Sequence, residues 1–201
     1  MLVYNSRLIG APVLSVQAGG AVAEVSSPIV DPDDLSIIAL KLAGPLTNAS
    51  NNILDTKSIR EYSELGIAID SEDELVSESD VLKIEEVLKL NFNLVGLKVE
   101  TKKGSRLGRI MDFTIDSDSF VVQQIVVKRP MIKSFMDPEL VIHRREIVEV
   151  TDYKVIVRDE EKVIRARASK EDFVPNFVNP FRTHEPGFAP ADMENLDDKD
   201  N

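Results

Sequence analysis

Between Leu94 and Val127 the chain alternates between apolar and polar residues and turns at two clear points, and this stretch constrains the fold more than any other. Leu97, Val99 and Thr101 alternate with lysines and a glutamate, the period of two expected of a strand with one buried face. Lys102-Lys103-Gly104-Ser105 then turns the chain, with Gly104 free to take the positive φ of a short hairpin loop. Leu107, Ile110, Phe113 and Ile115 form a second strand, and Gly108 within it marks a bulge or a close backbone approach. Asp116-Ser117-Asp118-Ser119 makes the next turn, because Asp and Ser side chains hydrogen-bond their own backbone. Phe120 to Val127, FVVQQIVV, is too rich in β-branched residues for a surface helix and reads as a third strand.

The first 75 residues carry the same pattern. Ile9-Gly10 corresponds to Val95-Gly96 at an offset of 86, and Ala23-Glu24-Val25 to Gly108-Arg109-Ile110 at 85. Val30-Asp31, Leu35-Ser36-Ile37, Leu40 and Leu42 correspond at 85 to Ile115-Asp116, Phe120-Val121-Val122, Ile125 and Val127. Leu54, Ile59 and Ile67-Ala68-Ile69 correspond at 88 to Ile142, Ile147 and Val155-Ile156-Val157. The drift falls in expected loops, where insertions disturb least. In the first copy Ala23 replaces the bulge glycine, and Pro12 near a strand start requires a backbone position with no N–H to pair.

Leu94-Val95-Gly96 with Val99, the turn at Gly104, Leu107-Gly108-Arg109-Ile110, the acidic turn at Asp116, Ile125-Val126-Val127 and the closing stretch Leu140 to Val157 together resemble the PRC-barrel family. That family is named for the H subunit of the photosynthetic reaction centre and includes the C-terminal domain of a ribosome-maturation factor. The resemblance implies a small closed β-barrel and no activity. The expected fold is therefore mainly β: two tandem PRC-barrel-like domains, residues 1–79 and 92–170, joined by residues 80–91 and followed by a tail, residues 171–201.

The connection DVLKIEEVLKLN, Asp80 to Asn91, spaces Val81, Ile84, Val87 and Leu88 as an amphipathic helix, with Ser79 or Asp80 as its cap. About three turns are too few to be stable alone, so its apolar face must pack on something. The tail holds four prolines and ends acidic, a composition read as extended or disordered, yet Phe173, Phe177, Phe181 and Phe188 are half of the chain's eight phenylalanines. It reads as an arm over its own barrel or as a docking motif, with Phe173, Phe177 and Phe181 as the contact residues.

Charge divides the copies. Residues 1–79 have 4 Lys and Arg against 12 Asp and Glu, whereas residues 92–170 have 16 against 12. Lys128, Arg129, Lys133, His143, Arg144 and Arg145 are the candidate partner-binding residues, expected to converge near one rim. Such a rim suits an acidic protein segment or an RNA phosphate backbone, and the plainer reading is a solvated surface paired with the acidic copy or with the acidic tail. Aromatic residues that would stack bases are scarce around it.

With no cysteine the chain has no disulfide, thiolate site or cysteine nucleophile, in keeping with a cytoplasmic location. No stretch approaches the roughly 20 apolar residues of a membrane span. Asp31, Asp33 and Asp34 and the run Glu72-Asp73-Glu74 read as acidic turns, since neither matches a spaced calcium loop. No phosphate-binding loop or nucleophile elbow is present, and no cofactor or metal is called for. The expected function is a non-enzymatic adaptor that holds a protein partner and no DNA. The alternative is a ribosome-maturation or RNA-metabolism factor that docks on a ribosomal protein or RNA through the basic copy.

Overall fold

The computed structural model describes residues 1–44, 47, 51–130 and 139–159, and within them the chain is mainly β, with curled, half-barrel sheet. Strands β1 (Leu2–Tyr4), β2 (Pro12–Ser15), β3 (Gly20–Val30), β4 (Ile37–Ala43), β5 (Ile53–Asp55), β6 (Glu61–Ser63), β7 (Gly66–Ile69) and β8 (Leu75–Val76) precede β9 (Lys98–Thr101), β10 (Arg106–Asp116), β11 (Val121–Lys128), β12 (Glu139–His143), β13 (Ile147–Val150) and β14 (Lys154–Val157). Helices α1 (Asn5–Leu8) and α2 (Leu82–Lys89) lie before β2 and before β9. The expected tail at 171–201 and the stretch before it fall outside the described residues.

Among the described residues two seven-stranded sheets form, in the orders β6-β7-β2-β3-β4-β5-β8 and β12-β11-β10-β9-β14-β13, with β1 added to β10. Six strands of each sheet follow the same order. The pairing sense agrees as well: β2 with β7 and β9 with β14 are parallel, and the rest are antiparallel. Alternation decides which face is buried. Val13, Val25, Leu40 and Ile67 of the first sheet and Val99, Ile110, Phe113, Ile125 and Val155 of the second enter one shared apolar cluster.

The sheets meet where their long strands turn. Ile37 N–H donates to Phe120 O at 2.7 Å, and Val122 N–H donates to Leu35 O at 3.0 Å, on either side of an antiparallel bridge between Ser36 and Val121. Positions 35 and 120, 36 and 121, and 37 and 122 correspond in the repeat, so exchanging the copies exchanges these two bonds. The contact is thus a pseudo-two-fold axis, isologous as in a symmetric dimer. Leu35 and Phe120 both hold positive φ, 56° and 52°, a conformation that costs a side-chain-bearing residue roughly 1–2 kcal/mol. It persists because each N–H is tied back, Leu35 to Asp31 O at 2.9 Å and Phe120 to Asp116 O at 2.8 Å, and both side chains are buried.

The segments leading into the copies cross over. β1 pairs with β10 of the second sheet, and the Ser6 hydroxyl donates to Asp112 Oδ2 at 2.7 Å. In return α2 places Ile84 and Val87 on Ile29, Ala39 and Ile53 of the first sheet. Lys83 Nζ adds an ion pair to the buried Asp31 at 3.1 Å. The helix start differs from expectation: Val81 precedes it without a side-chain cap, because Asp80 Oδ2 accepts the Ser77 N–H at 2.8 Å and closes the preceding turn.

Gly108 sits at a register shift with φ +152°, and a Cβ there would collide with the Lys128 carbonyl. In the first sheet Ala23 occupies the matching place, and the glycine moves to the neighbouring strand end as Gly44, also at φ +152° and packed on Ala23. Gly108→Ala is therefore expected to lower unfolding free energy by about 2–4 kcal/mol. Gly104→Ala, at φ +80° with open space around it, should cost only about 1 kcal/mol, both measured by urea denaturation. Ile84→Ala should cost about 2–4 kcal/mol in the same assay, although Ile84 belongs to the connecting helix, because its side chain is 2 % exposed.

Candidate functional site

Five of the six basic candidates lie among the described residues, and those five do not share one rim. Lys128 ends β11 in register with Arg109 on one side and Glu139 on the other, with Arg129 following it. His143 ends β12 opposite Gln124, four residues back along β11, a separation of roughly 14 Å. Arg144 and Arg145 follow in a single 3-10 turn, Arg144–Glu146, where Arg145 Nε is 3.4 Å from Glu146 Oε1. Antiparallel pairing separates them: β12 runs back along β11, so its end lies beside the start of β11 rather than its finish. Lys133, Phe173, Phe177 and Phe181 lie outside the described residues.

Arg144 faces the acidic copy. It shares a cavity of about 300 Å³ with Asp33, Asp34, Leu35 and Glu149. There the aspartates form turns: Asp31 Oδ1 accepts the Asp33 N–H at 3.0 Å, and Asp34 Oδ1 accepts the Ser36 N–H at 2.8 Å. Hydrogen bonding from Ser36, with smaller attraction from Lys83 and Arg144, outweighs partial burial and holds the Asp34 carboxyl below its ordinary 3.8.

Around Lys128 the sheet assembles a second set of cations that lie far apart in the chain. Lys154 pairs with Lys98, Lys98 with Arg109 and Arg109 with Lys128, each directly across one strand boundary. Their neighbours Val155, Val99, Ile110 and Val127 are buried, so the four cations stand on the outer face. Adjacent strands lie about 4.8 Å apart, and like charges directly opposite each other destabilise a sheet by roughly 0.2–1 kcal/mol per pair. The row ends at Glu139, opposite Lys128.

Little among the described residues neutralises this row. Glu100 takes Lys154 Nζ at 3.1 Å and lies 3.9 Å from Arg106 Nε. Arg109 Nη1 donates to Gly96 O at 2.9 Å. Among the described residues, Lys98, Arg109 and Lys128 have no ion pair. Arg106, Arg129 and Glu100 line, with Val99, Gly108 and Pro130, a cavity of about 390 Å³ beside the row. The only sequence signal for this grouping is that Lys98, Arg109 and Lys128 fall on the polar phase of their strands.

The first sheet shows what the backbone itself requires at these places. Pro12, Glu24 and Ala43 stand in the same cross-strand register, with Gly66 against Pro12. The same pairing pattern therefore forms without a single cation there.

No protein-family model matches the chain, and no curated protein matches it in sequence. Among the described residues no group of His, Asp and Glu is placed to hold a metal ion, and no helix is long and apolar enough to cross a membrane.

The sign of the Asp34 effect follows from its lowered folded value: its contribution is present above the unfolded pKa and is lost as pH falls through the folded one. Asp34→Ala should lower stability at pH 7 by about 0.5 kcal/mol, because the carboxyl is solvent-screened. The variant should also lose less stability than the native chain on acidification below about pH 4, read as melting temperature against pH. An identical acid limb in both would remove Asp34 from the linkage.

Proposed function

We propose that the protein is a non-enzymatic interaction module, built from two PRC-barrel-like halves that hold a protein partner on an outer face. The two halves are small barrels, residues 1–79 and 92–170, bridged by α2 and fused into an intramolecular pseudo-dimer. One observation carries the reading: at matching cross-strand positions the second sheet bears Lys98, Arg109 and Lys128 where the first bears Pro12, Glu24 and Ala43. Side chains that the fold manages without, and that repel one another across strands, are retained for something outside the fold.

The inner faces of both sheets are consumed in one apolar cluster, which leaves the outer faces to meet other molecules. The resemblance to PRC-barrel adaptors points the same way. A role on ribosomal RNA is the competing reading, since phosphates would meet the same cations.

Affinity capture of the full chain from its own cells at low salt, with and without nuclease, separates them. A recurrent protein partner that survives nuclease is the expected result. Ribosomal components lost on nuclease treatment would replace the adaptor reading with the ribonucleoprotein one, and the absence of any recurrent partner would remove both.

A further inference from the structure

The cation row has a length, a direction and an end, and these specify a ligand. We infer that Lys154, Lys98, Arg109 and Lys128 form a docking surface for an acidic helical segment of a partner protein, lying across the strands. This rests on the interaction-module reading above and names the chemistry of its contact.

Three features of the surface select that occupant. First, the spacing fits: charges one strand apart repeat at about 4.8 Å, close to the 5.4 Å rise per turn of a helix carrying carboxylates at three- and four-residue intervals. An extended segment repeats its same-face side chains at roughly 6.8 Å and falls out of step within the row. Second, the row is short. It crosses four strands and stops at Glu139, which would repel a polyanion continuing beyond Lys128. Third, the cavity beside it offers Val99, Gly108 and Pro130 as its uncharged lining, with no aromatic ring on which a base could stack. An acidic helix satisfies all three, whereas RNA meets only the attraction of opposite charge.

Burial around the row explains why it can wait for a ligand. Lys98, Arg109 and Lys128 are exposed to water, so the mutual repulsion is screened until a partner displaces that water. Carboxylates placed between the cations would then remove the repulsion as well as add attraction. Binding is expected to be fast and steeply salt-dependent.

The test uses the full chain and a helical peptide of about 20 residues with glutamates on one face, spaced at three and four positions. Its glutamine counterpart and an oligouridylate of equal charge serve as comparison ligands. The triple variant Lys98→Ala, Arg109→Ala, Lys128→Ala should weaken the glutamate peptide at least about tenfold and should melt at the same temperature or higher, because like-charge pairs are removed. A charge-matched variant, Arg7→Ala, Lys57→Ala, Lys89→Ala, should bind within about threefold of the native chain. Lys128→Glu, a single change, should reproduce the loss if the triple variant does not fold.

Equal weakening by the charge-matched variant would reduce the row to a share of the overall field and overturn the assignment. Tighter, row-dependent binding of the oligouridylate would transfer the surface to nucleic acid. A partner captured from cells that the triple variant still retains would remove the row while leaving the interaction module in place. Peptide binding in the absence of any captured partner would do the reverse.

Discussion

Two backbone hydrogen bonds, from Ile37 to Phe120 and back from Val122 to Leu35, fix how the two sheets meet. They form only because Leu35 and Phe120 adopt positive φ, which brings each strand out of its acidic turn facing its counterpart. The tie-backs to Asp31 and Asp116 hold that geometry, so the acidic turns serve the interface between the copies. Once this contact is set, the inner faces of both sheets close over one another in a shared core. A half-barrel sheet on its own would leave that apolar surface in water, at a cost of roughly 25 cal/mol for each Å².

The crossing leaders reinforce the same arrangement by different means. β1 joins the second sheet through backbone pairing, while α2 covers the first with Ile84 and Val87. The motifs that follow them, Asn5 to Gly10 and Asn91 to Gly96, share their Asn, Leu and Gly, with Leu8 and Leu94 both buried. Gly10 N–H donates to Val25 O and Gly96 N–H to Ile110 O, both at 2.8 Å. Symmetry therefore extends up to those motifs and breaks just before them, where one copy supplies a strand and the other a helix. Sequence explains the difference: Leu2, Val3 and Tyr4 alternate in burial as a strand does, whereas Ile84, Val87 and Leu88 recur at helical spacing.

Divergence between the copies is concentrated on the outside. Most buried positions stay apolar, Thr114 in the place of Ile29 being an exception, and the bulge glycine persists in effect, moved from Gly108 in one sheet to Gly44 in the other. On the outer face Glu24 becomes Arg109 and Ala43 becomes Lys128. A core must fill space at crystal-like density and tolerates little change, while an exposed strand face accepts almost any side chain the solvent can hydrate. That freedom allows one copy to serve as scaffold and the other to carry a charged surface.

Much of the fold was legible in sequence because its signals are local. Alternation at Val99 and Thr101, the turn at Gly104, the bulge at Gly108 and the helix around Ile84 and Val87 each depend on residues a few positions apart. The basic surface was legible only in part. Lys128 and Arg129 stand out along the chain as a basic pair, but Arg144, which the sequence suggests as their companion, faces Asp34, and nothing in the linear order joins Lys98, Arg109 and Lys154 to them. By itself the sequence determined which side chains point inward, where the chain turns and that the pattern recurs, since these follow from backbone stereochemistry and hydrophobicity along one segment. Only the tertiary structure decided which outward side chains stand next to one another, because strand register joins residues far apart in the chain, and a shift of a single residue would have turned those cations to the other face.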